Sequence, residues 1–387
     1  MISRILSDKI KASSQKMPVV AVTGPRQSGK STLIRQVFPE YTYSNLEDLE
    51  TRRFATEDPK GFLLQLGSNA ILDEIQHVPD LLSYIQVNVD NENRAGTYII
   101  SGSQNLQLMA GISQSLAGRV AIFNLLPFSL EEIQDTPFAL TTYEDYIITG
   151  FYPRIYDQKL DPGDWLKDYI QTYVERDLRQ VINVNNLAAF RQFLEICAGR
   201  IGQLVNFSTI GNMIGVSYQT IKSWLSILQT SFIIHLVQPF QRNYNKRIVK
   251  TPKLYFYDTG LACALLNLRK VEDLNQHFAK GALFENFVIN EILKNHYNRN
   301  LHPGHSFWQA SGSHEIDLIL DKGGHLYPIE IKSGRTINTR FFESLIYFQS
   351  LSGAKPEESF IVYGGDDIQL RSIVQVLSWR NINRIPV

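Results

Sequence analysis

The chain has 387 residues, too many for one comfortable hydrophobic core, so two or three domains are expected. Lys plus Arg (38) equals Asp plus Glu (38), which excludes a global charge that would announce a nucleic-acid or membrane partner. No apolar run approaches the ~18 residues that a membrane span needs, and charges interrupt the start, Met1-Ile-Ser-Arg-Ile, so neither a membrane partner nor a signal peptide is expected. The two cysteines, Cys197 and Cys263, lack metal or redox spacing and read as buried free thiols in a reducing compartment, which points to the cytoplasm.

From about residue 15 to 130, short apolar segments alternate with helical stretches, the pattern of a parallel α/β sheet. The strands expected are Val19–Thr23, Thr42–Asn45, Ala70–Asp73, Thr97–Ser101 and Val120–Asn124. Between the first strand and the helix opening at Ser31-Thr32-Leu33 lies Gly24-Pro25-Arg26-Gln27-Ser28-Gly29-Lys30-Ser31. This is a G-x-x-x-x-G-K-S phosphate loop in its strand-loop-helix setting. Its glycines let backbone N–H groups turn toward phosphates, and the helix N-terminus adds partial positive charge. Lys30 is expected on the β- and γ-phosphates of ATP and the Ser31 hydroxyl on Mg²⁺. Arg26 either touches a phosphate or faces solvent.

The run Ala70-Ile71-Leu72-Asp73-Glu74 carries Asp73 to a strand tip, where it can hold Mg²⁺ through water. Glu74 is then placed to polarise the attacking water. The next strand ends at Ser101-Gly102-Ser103-Gln104, where Ser103 or Gln104 either senses the γ-phosphate or simply ends the strand. Arg119, just before the last strand, either completes a site in the same chain or a neighbour, as an arginine finger does, or makes a surface salt bridge.

Residues 136–204 read as a mostly helical lid or linker following a core over 1–135. Residues 205–275 read as a winged helix-turn-helix. Ile210, Ile214, Val216, Ile221, Trp224, Leu225 and Leu228 supply its apolar positions, Gly215 the turn and Ser217 the N-cap, with strands Phe232–Val237 and Lys253–Tyr257 as the wing. The connecting loop gathers Arg242, Lys246, Arg247 and Lys250 around Tyr244, a composition suited to a DNA backbone. The helix residues Tyr218, Gln219, Lys222 and Ser223 are candidates to face a groove, although such a module also serves protein contacts alone.

Residues 276–387 read as helix, three strands, helix, strand, with a Gly323-Gly324 hairpin joining Glu315–Asp321 to Tyr327–Lys332. Alternation places Glu330 and Lys332 on one strand face with Asp317 opposite. Two carboxylates and a lysine are what metal-dependent phosphodiester cleavage needs: Asp317 and Glu330 to hold Mg²⁺, Lys332 to position water or stabilise charge.

The segments Thr23–Gln27, Leu72–Gln76, Ile100–Gln104, Ser115–Arg119, Gly150-Phe-Tyr-Pro-Arg154, Tyr173–Asp177 and Pro252–Leu261 together resemble prokaryotic AAA-type P-loop ATPases fused to a C-terminal domain of unknown function. The resemblance covers nearly the whole chain and implies nucleotide binding, with Gly24 through Thr32 and Ser103 and Gln104 around the nucleotide. AAA-type relatives often form rings, so a homo-oligomer is also within the expectation. Asp317…Glu330-Ile-Lys332 resembles the PD-(D/E)xK nuclease superfamily, with Glu285 matching an extra helix carboxylate of many members. Three functions follow: an ATPase acting on nucleic acid through a winged helix and a nuclease-like domain, a nucleotide-dependent switch binding protein partners with a silent nuclease-like fold, or a DNA-binding regulator with residual ATPase activity.

Overall fold

The computed structural model describes residues 2–103, 111–112, 114–177, 186–240, 251–310 and 314–386, with the backbone alone for 175–177. The chain divides into two compact units. The first is Met1–Phe128 with the short pieces Thr230–Phe232 and Tyr297–Leu301; the second is Ser129–Gln229, Ile233–His296 and His302–Val387. Among the described residues no helix is long and apolar enough to cross a membrane.

The first unit is built on five strands: β1 (Val19–Gly24), β2 (Thr42–Asn45), β3 (Ala70–Asp73), β4 (Tyr98–Ser103) and β5 (Val120–Asn124). All pair in parallel, in the order β2-β3-β4-β1-β5. A parallel sheet needs cover on both faces, so β1, β3 and β4 carry apolar runs, whereas the edge strand β2, Thr42-Tyr-Ser-Asn45, does not. Val19, Ala21, Leu72 and Ile100 pack on one face, and Val20, Val22, Ile71, Ile99 and Phe123 on the other. The helix Lys30–Val37 covers the second face through Leu33 and Ile34. The five strands fall where the sequence places them, within two residues at each end.

The second unit contains one sheet of eight strands: β6 (Ile234–Pro239), β7 (Lys253–Phe256), β8 (His305–Gln309), β9 (Glu315–Lys322), β10 (His325–Lys332), β11 (Phe360–Tyr363), β12 (Gln369–Arg371) and β13 (Val374–Ser378). Their order is β12-β13-β11-β10-β9-β8-β6-β7. The expected β9–β10 hairpin is present, with Asp321 opposite Leu326. The helix pair Phe207–Ile214 and Tyr218–Thr230 also forms as expected. Gly215 takes the left-handed conformation at the turn, and the Ser217 hydroxyl accepts the Thr220 N–H at 3.1 Å. Its packing uses Ile210, Ile221, Trp224, Leu225 and Leu228, with the Trp224 ring 5.2 Å from Phe190.

The two strands after that pair do form an antiparallel ladder, but they are not a free-standing wing. Gln238 and Pro239 of β6 pair in parallel with Ser306 and Phe307 of β8, so the ladder is the edge of the large sheet. Elsewhere in this unit an aromatic cluster of Tyr143, Tyr146, Phe151, Phe284, Phe287 and Trp379 packs with ring centroids 4.6–6.2 Å apart. Cys197 and Cys263 are buried free thiols.

Candidate functional site

In an open parallel sheet the strand C-termini bound a crevice where ligands bind. Here Gly24, Asp73 and Ser103 end β1, β3 and β4, which are neighbours in the sheet. Gly29, left-handed at φ 90°, caps the helix Lys30–Val37, and Gln27 is also left-handed at φ 64°. The loop is thereby curled, with the helix N-terminus at its end.

Within the loop Lys30 is buried, and its ammonium donates to the carbonyls of Pro25 (2.8 Å) and Gly24 (3.2 Å). Burial lowers its pKa from the ordinary lysine value; Glu74 and Asp73 oppose that, and Arg26 adds to it. The Ser28 hydroxyl is fully buried and, among the described residues, has no hydrogen-bond partner. Such a group costs about 1–3 kcal/mol when left unpaired, so a loop that keeps one buried is shaped for an acceptor. The Arg4 guanidinium holds the loop from behind, donating to the carbonyls of Ser28 (2.9 Å) and Leu126 (2.7 Å). Ser31 is half-buried, whereas Thr32 is exposed.

Asp73 is buried at the tip of β3. Its Oδ2 accepts the Tyr43 hydroxyl at 2.7 Å, and its Oδ1 accepts the Ser101 hydroxyl. Burial, and then the bond to Asp73, raise the Tyr43 phenol above its ordinary range, so it remains a donor. Glu74 adopts a left-handed backbone, φ 57° and ψ 45°, a conformation that costs a non-glycine residue energy and concentrates at functional sites. Gln76 donates through Nε2 to both Glu74 and the Ser103 hydroxyl (3.1 Å), tying the two together. Gln104 lies outside the described residues.

Arg119 is not brought to this crevice. Its carbonyl accepts the Val19 N–H, which places it at the opposite end of β1, and its half-exposed guanidinium pairs with Asp90 at 2.5 and 2.9 Å. Arg4, Tyr43 and Gln76 carry no motif signal of their own, whereas Ser101 lies in the strand-end run Ser101–Gln104. Gln76 does sit two residues after Glu74 in a segment that resembles the ATPases, and that position was its only sequence trace.

The second unit gathers the other candidates. Glu285 comes from the helix Lys280–Asn298, Asp317 from β9, and Glu330 and Lys332 from β10. Lys332 Nζ lies 2.6 Å from Glu330 Oε1 and 3.6 Å from Asp317 Oδ2, while Asp317 Oδ2 also accepts the Ile331 N–H at 2.7 Å. A second lysine, Lys253 of β7, pairs with Glu285 (3.5 Å) and Glu315, and Tyr255 donates to Glu285 at 2.5 Å. Burial, and then the Asp317 charge, push the carboxyls of Glu285 and Glu330 up. Burial alone would depress Lys332 and Lys253; the surrounding carboxylates outweigh it and hold both ammonium groups above their usual range. Among the described residues no group of three or more His, Cys, Asp or Glu side chains is arranged to hold a metal. The Lys332 ammonium bridges Asp317 and Glu330, the pair expected to hold Mg²⁺, while Glu330 Oε2 is buried and has no hydrogen-bond partner among the described residues.

The helix Tyr218–Thr230 exposes Tyr218, Gln219, Lys222 and Ser223. Arg242, Lys246, Arg247 and Lys250 lie outside the described residues.

The parallel sheet and phosphate loop of the first unit are in keeping with the family described as "AAA domain", which residues 16–134 match. Residues 140–272 and 280–382 match two families each described as a domain of unknown function (DUF8612 and DUF4143). Two mycobacterial relatives, the uncharacterized proteins Mb2031c of Mycobacterium bovis and Rv2008c of Mycobacterium tuberculosis, are each 29% identical over 331 residues, covering 85% of this chain and 73% of theirs. Among solved structures, the Walker-type ATPase PABY2304 of Pyrococcus abyssi is similar with a TM-score of 0.45 and 15% identity, covering 67% of this chain and 94% of that one.

Proposed function

We propose that the first unit binds ATP with Mg²⁺ and hydrolyses it. The observation that carries this reading is the buried Lys30 ammonium held on loop carbonyls beside a buried Ser28 hydroxyl that has no partner among the described residues. Both are donors that phosphate oxygens would satisfy. Lys30 exchanges its carbonyl partners for β- and γ-phosphate oxygens, and the loop N–H groups take the remainder. Ser31 through its hydroxyl and Asp73 through water are the residues that would hold Mg²⁺, an ion that keeps several waters and needs few protein ligands. Bound there, it would offset charge on the phosphates. Glu74, fixed by its backbone conformation and by Gln76, orients the attacking water and accepts its proton.

The test separates binding from turnover. Lys30→Ala loses ATP binding and hydrolysis together, whereas Glu74→Gln keeps binding and loses turnover by about 10²–10⁴-fold. Unchanged phosphate release in Lys30→Ala overturns the reading.

For the second unit, the exposed face of Tyr218, Gln219, Lys222 and Ser223 supports contact with nucleic acid by the second helix of the pair. At the C-terminal cluster a specific observation favours the switch over the nuclease. Lys332 pairs with Glu330 and Asp317, and Lys253 with Glu285 and Glu315, so carboxylates that cleavage would require as metal ligands are engaged in ion pairs. Labelled DNA and RNA incubated with the protein, ATP and Mn²⁺ should remain intact while ATP is consumed. Cleavage lost in Asp317→Ala would restore the nuclease.

A further inference from the structure

Asp73 has a surrounding that its motif does not specify. Each carboxylate oxygen accepts one hydroxyl, Oδ2 from Tyr43 on β2 at 2.7 Å and Oδ1 from Ser101 on β4. A carboxylate oxygen has two lone-pair sites, so each keeps one free for a further donor. The two hydroxyls come from the strands on either side of β3 and fix the plane of the carboxylate between them. Tyr43 is itself held from the phosphate-loop side, because the Arg35 guanidinium stands over its ring, 4.9 Å from the centroid. Arg35 lies on the helix Lys30–Val37, which begins with the loop lysine. A chain of contacts therefore runs from that helix through Arg35 and Tyr43 to the carboxylate.

We infer that Tyr43, seconded by Ser101, is the positioning residue that orients Asp73 toward the waters of nucleotide-bound Mg²⁺. The inference rests on the nucleotide reading above and adds to it a residue and a measurable quantity. A carboxylate with one donor removed is free to rotate, and its remaining lone pairs then point toward Mg²⁺-bound water for only part of the time. The phosphate contacts of Lys30 and the loop involve neither hydroxyl. The defect should therefore appear in what Mg²⁺ adds to binding, and not in metal-free binding.

The experiment is equilibrium titration of a fluorescent N-methylanthraniloyl ATP into the full chain, once in EDTA and once in Mg²⁺. Wild type, Tyr43→Phe and Ser101→Ala are compared, with a melting curve for each. For Tyr43→Phe the affinity in EDTA stays at the wild-type value, while the gain brought by Mg²⁺ shrinks roughly tenfold. That is the scale set by losing one hydrogen bond to a charged group. Ser101→Ala shifts the same quantity in the same direction. If either variant melts early, the other carries the test, since the two donors come from different strands. A wild-type chain that binds no ATP overturns the nucleotide reading itself. A wild-type chain that binds ATP more tightly with Mg²⁺, beside variants with the same gain, overturns the role of Tyr43 and leaves the nucleotide reading standing. A loss of affinity equal in EDTA and Mg²⁺ also overturns it, because that marks a merely structural residue.

Discussion

Gly24 ends β1 at φ 152°, and a Cβ added there would collide with the carbonyl oxygen of Leu125. The last residue of the strand thus passes against the chain leaving β5, and the loop starts from that close approach. Gly24→Ala must move either the loop or Leu125. We expect it to destabilise the first unit by about 2–4 kcal/mol, as an overpacked, strained backbone position does. ATP binding is expected to fall with it. Urea midpoints and nucleotide titration check this, and an alanine variant with wild-type stability would show that the strand end yields more readily than its packing implies. The same scale explains why Gly24, Lys30, Asp73 and Glu74 were legible in the sequence while Tyr43 and Gln76 were not. The first set must have particular side chains at fixed spacing, because phosphate and water impose it. Tyr43 and Gln76 need only reach a carboxylate from wherever the fold puts them.

Among the elements, the helix Thr259–Leu265 shows how two sequence motifs acquire one meaning. Asp258 caps it, accepting the Leu261 N–H at 3.1 Å, and its second oxygen accepts the Phe151 N–H at 2.7 Å. Gly150, left-handed at φ 68°, leaves room for that carboxylate, since a Cβ there would strike Asp258 Oδ1. The segments Gly150–Arg154 and Pro252–Leu261 both resemble the ATPases in sequence, yet nothing in either announces that they meet. Asp258→Ala removes a helix cap and leaves the Phe151 N–H buried and unpaired. It should cost about 2–4 kcal/mol of stability, read as a lowered urea midpoint. ATP binding in the first unit is the control. Strands were legible for a related reason: β1, β3, β4 and β5 contain apolar runs, a signal carried within a few residues. The pairing of β6 with β8 has no such signal, because it joins distant segments through backbone groups that every residue possesses. The short strands β12 and β13 also escaped, Gln369–Arg371 having only three residues and no apolar alternation.

For the molecule as a whole, acidity should act through a buried histidine. His235 on β6 is 6% exposed, with Nε2 3.0 Å from Asn290 Oδ1. Burial, and then neighbouring His305, depress its pKa to about 3, with the bond to Asn290 opposing. Unfolded, the same ring titrates near its ordinary value of about 6.5. Between those values the unfolded chain binds a proton that the folded one refuses. The contribution of His235 is therefore complete above the unfolded value and is lost as pH falls toward the folded one, at ~1.4 kcal/mol per pH unit. Urea midpoints at pH 7, 6 and 5 should fall more steeply for wild type than for His235→Phe, and parallel slopes would refute the assignment. The strand that carries this histidine has a further consequence, in the order of synthesis. β6 leaves the ribosome well before β8, with residues 240–304 still to be made. At roughly 5–20 residues per second, its outer edge waits about 3–13 s for a partner. A nascent chain halted in that interval presents an open strand edge that another chain can pair with. The edge closes only once β8, in a later segment of the chain, has been made.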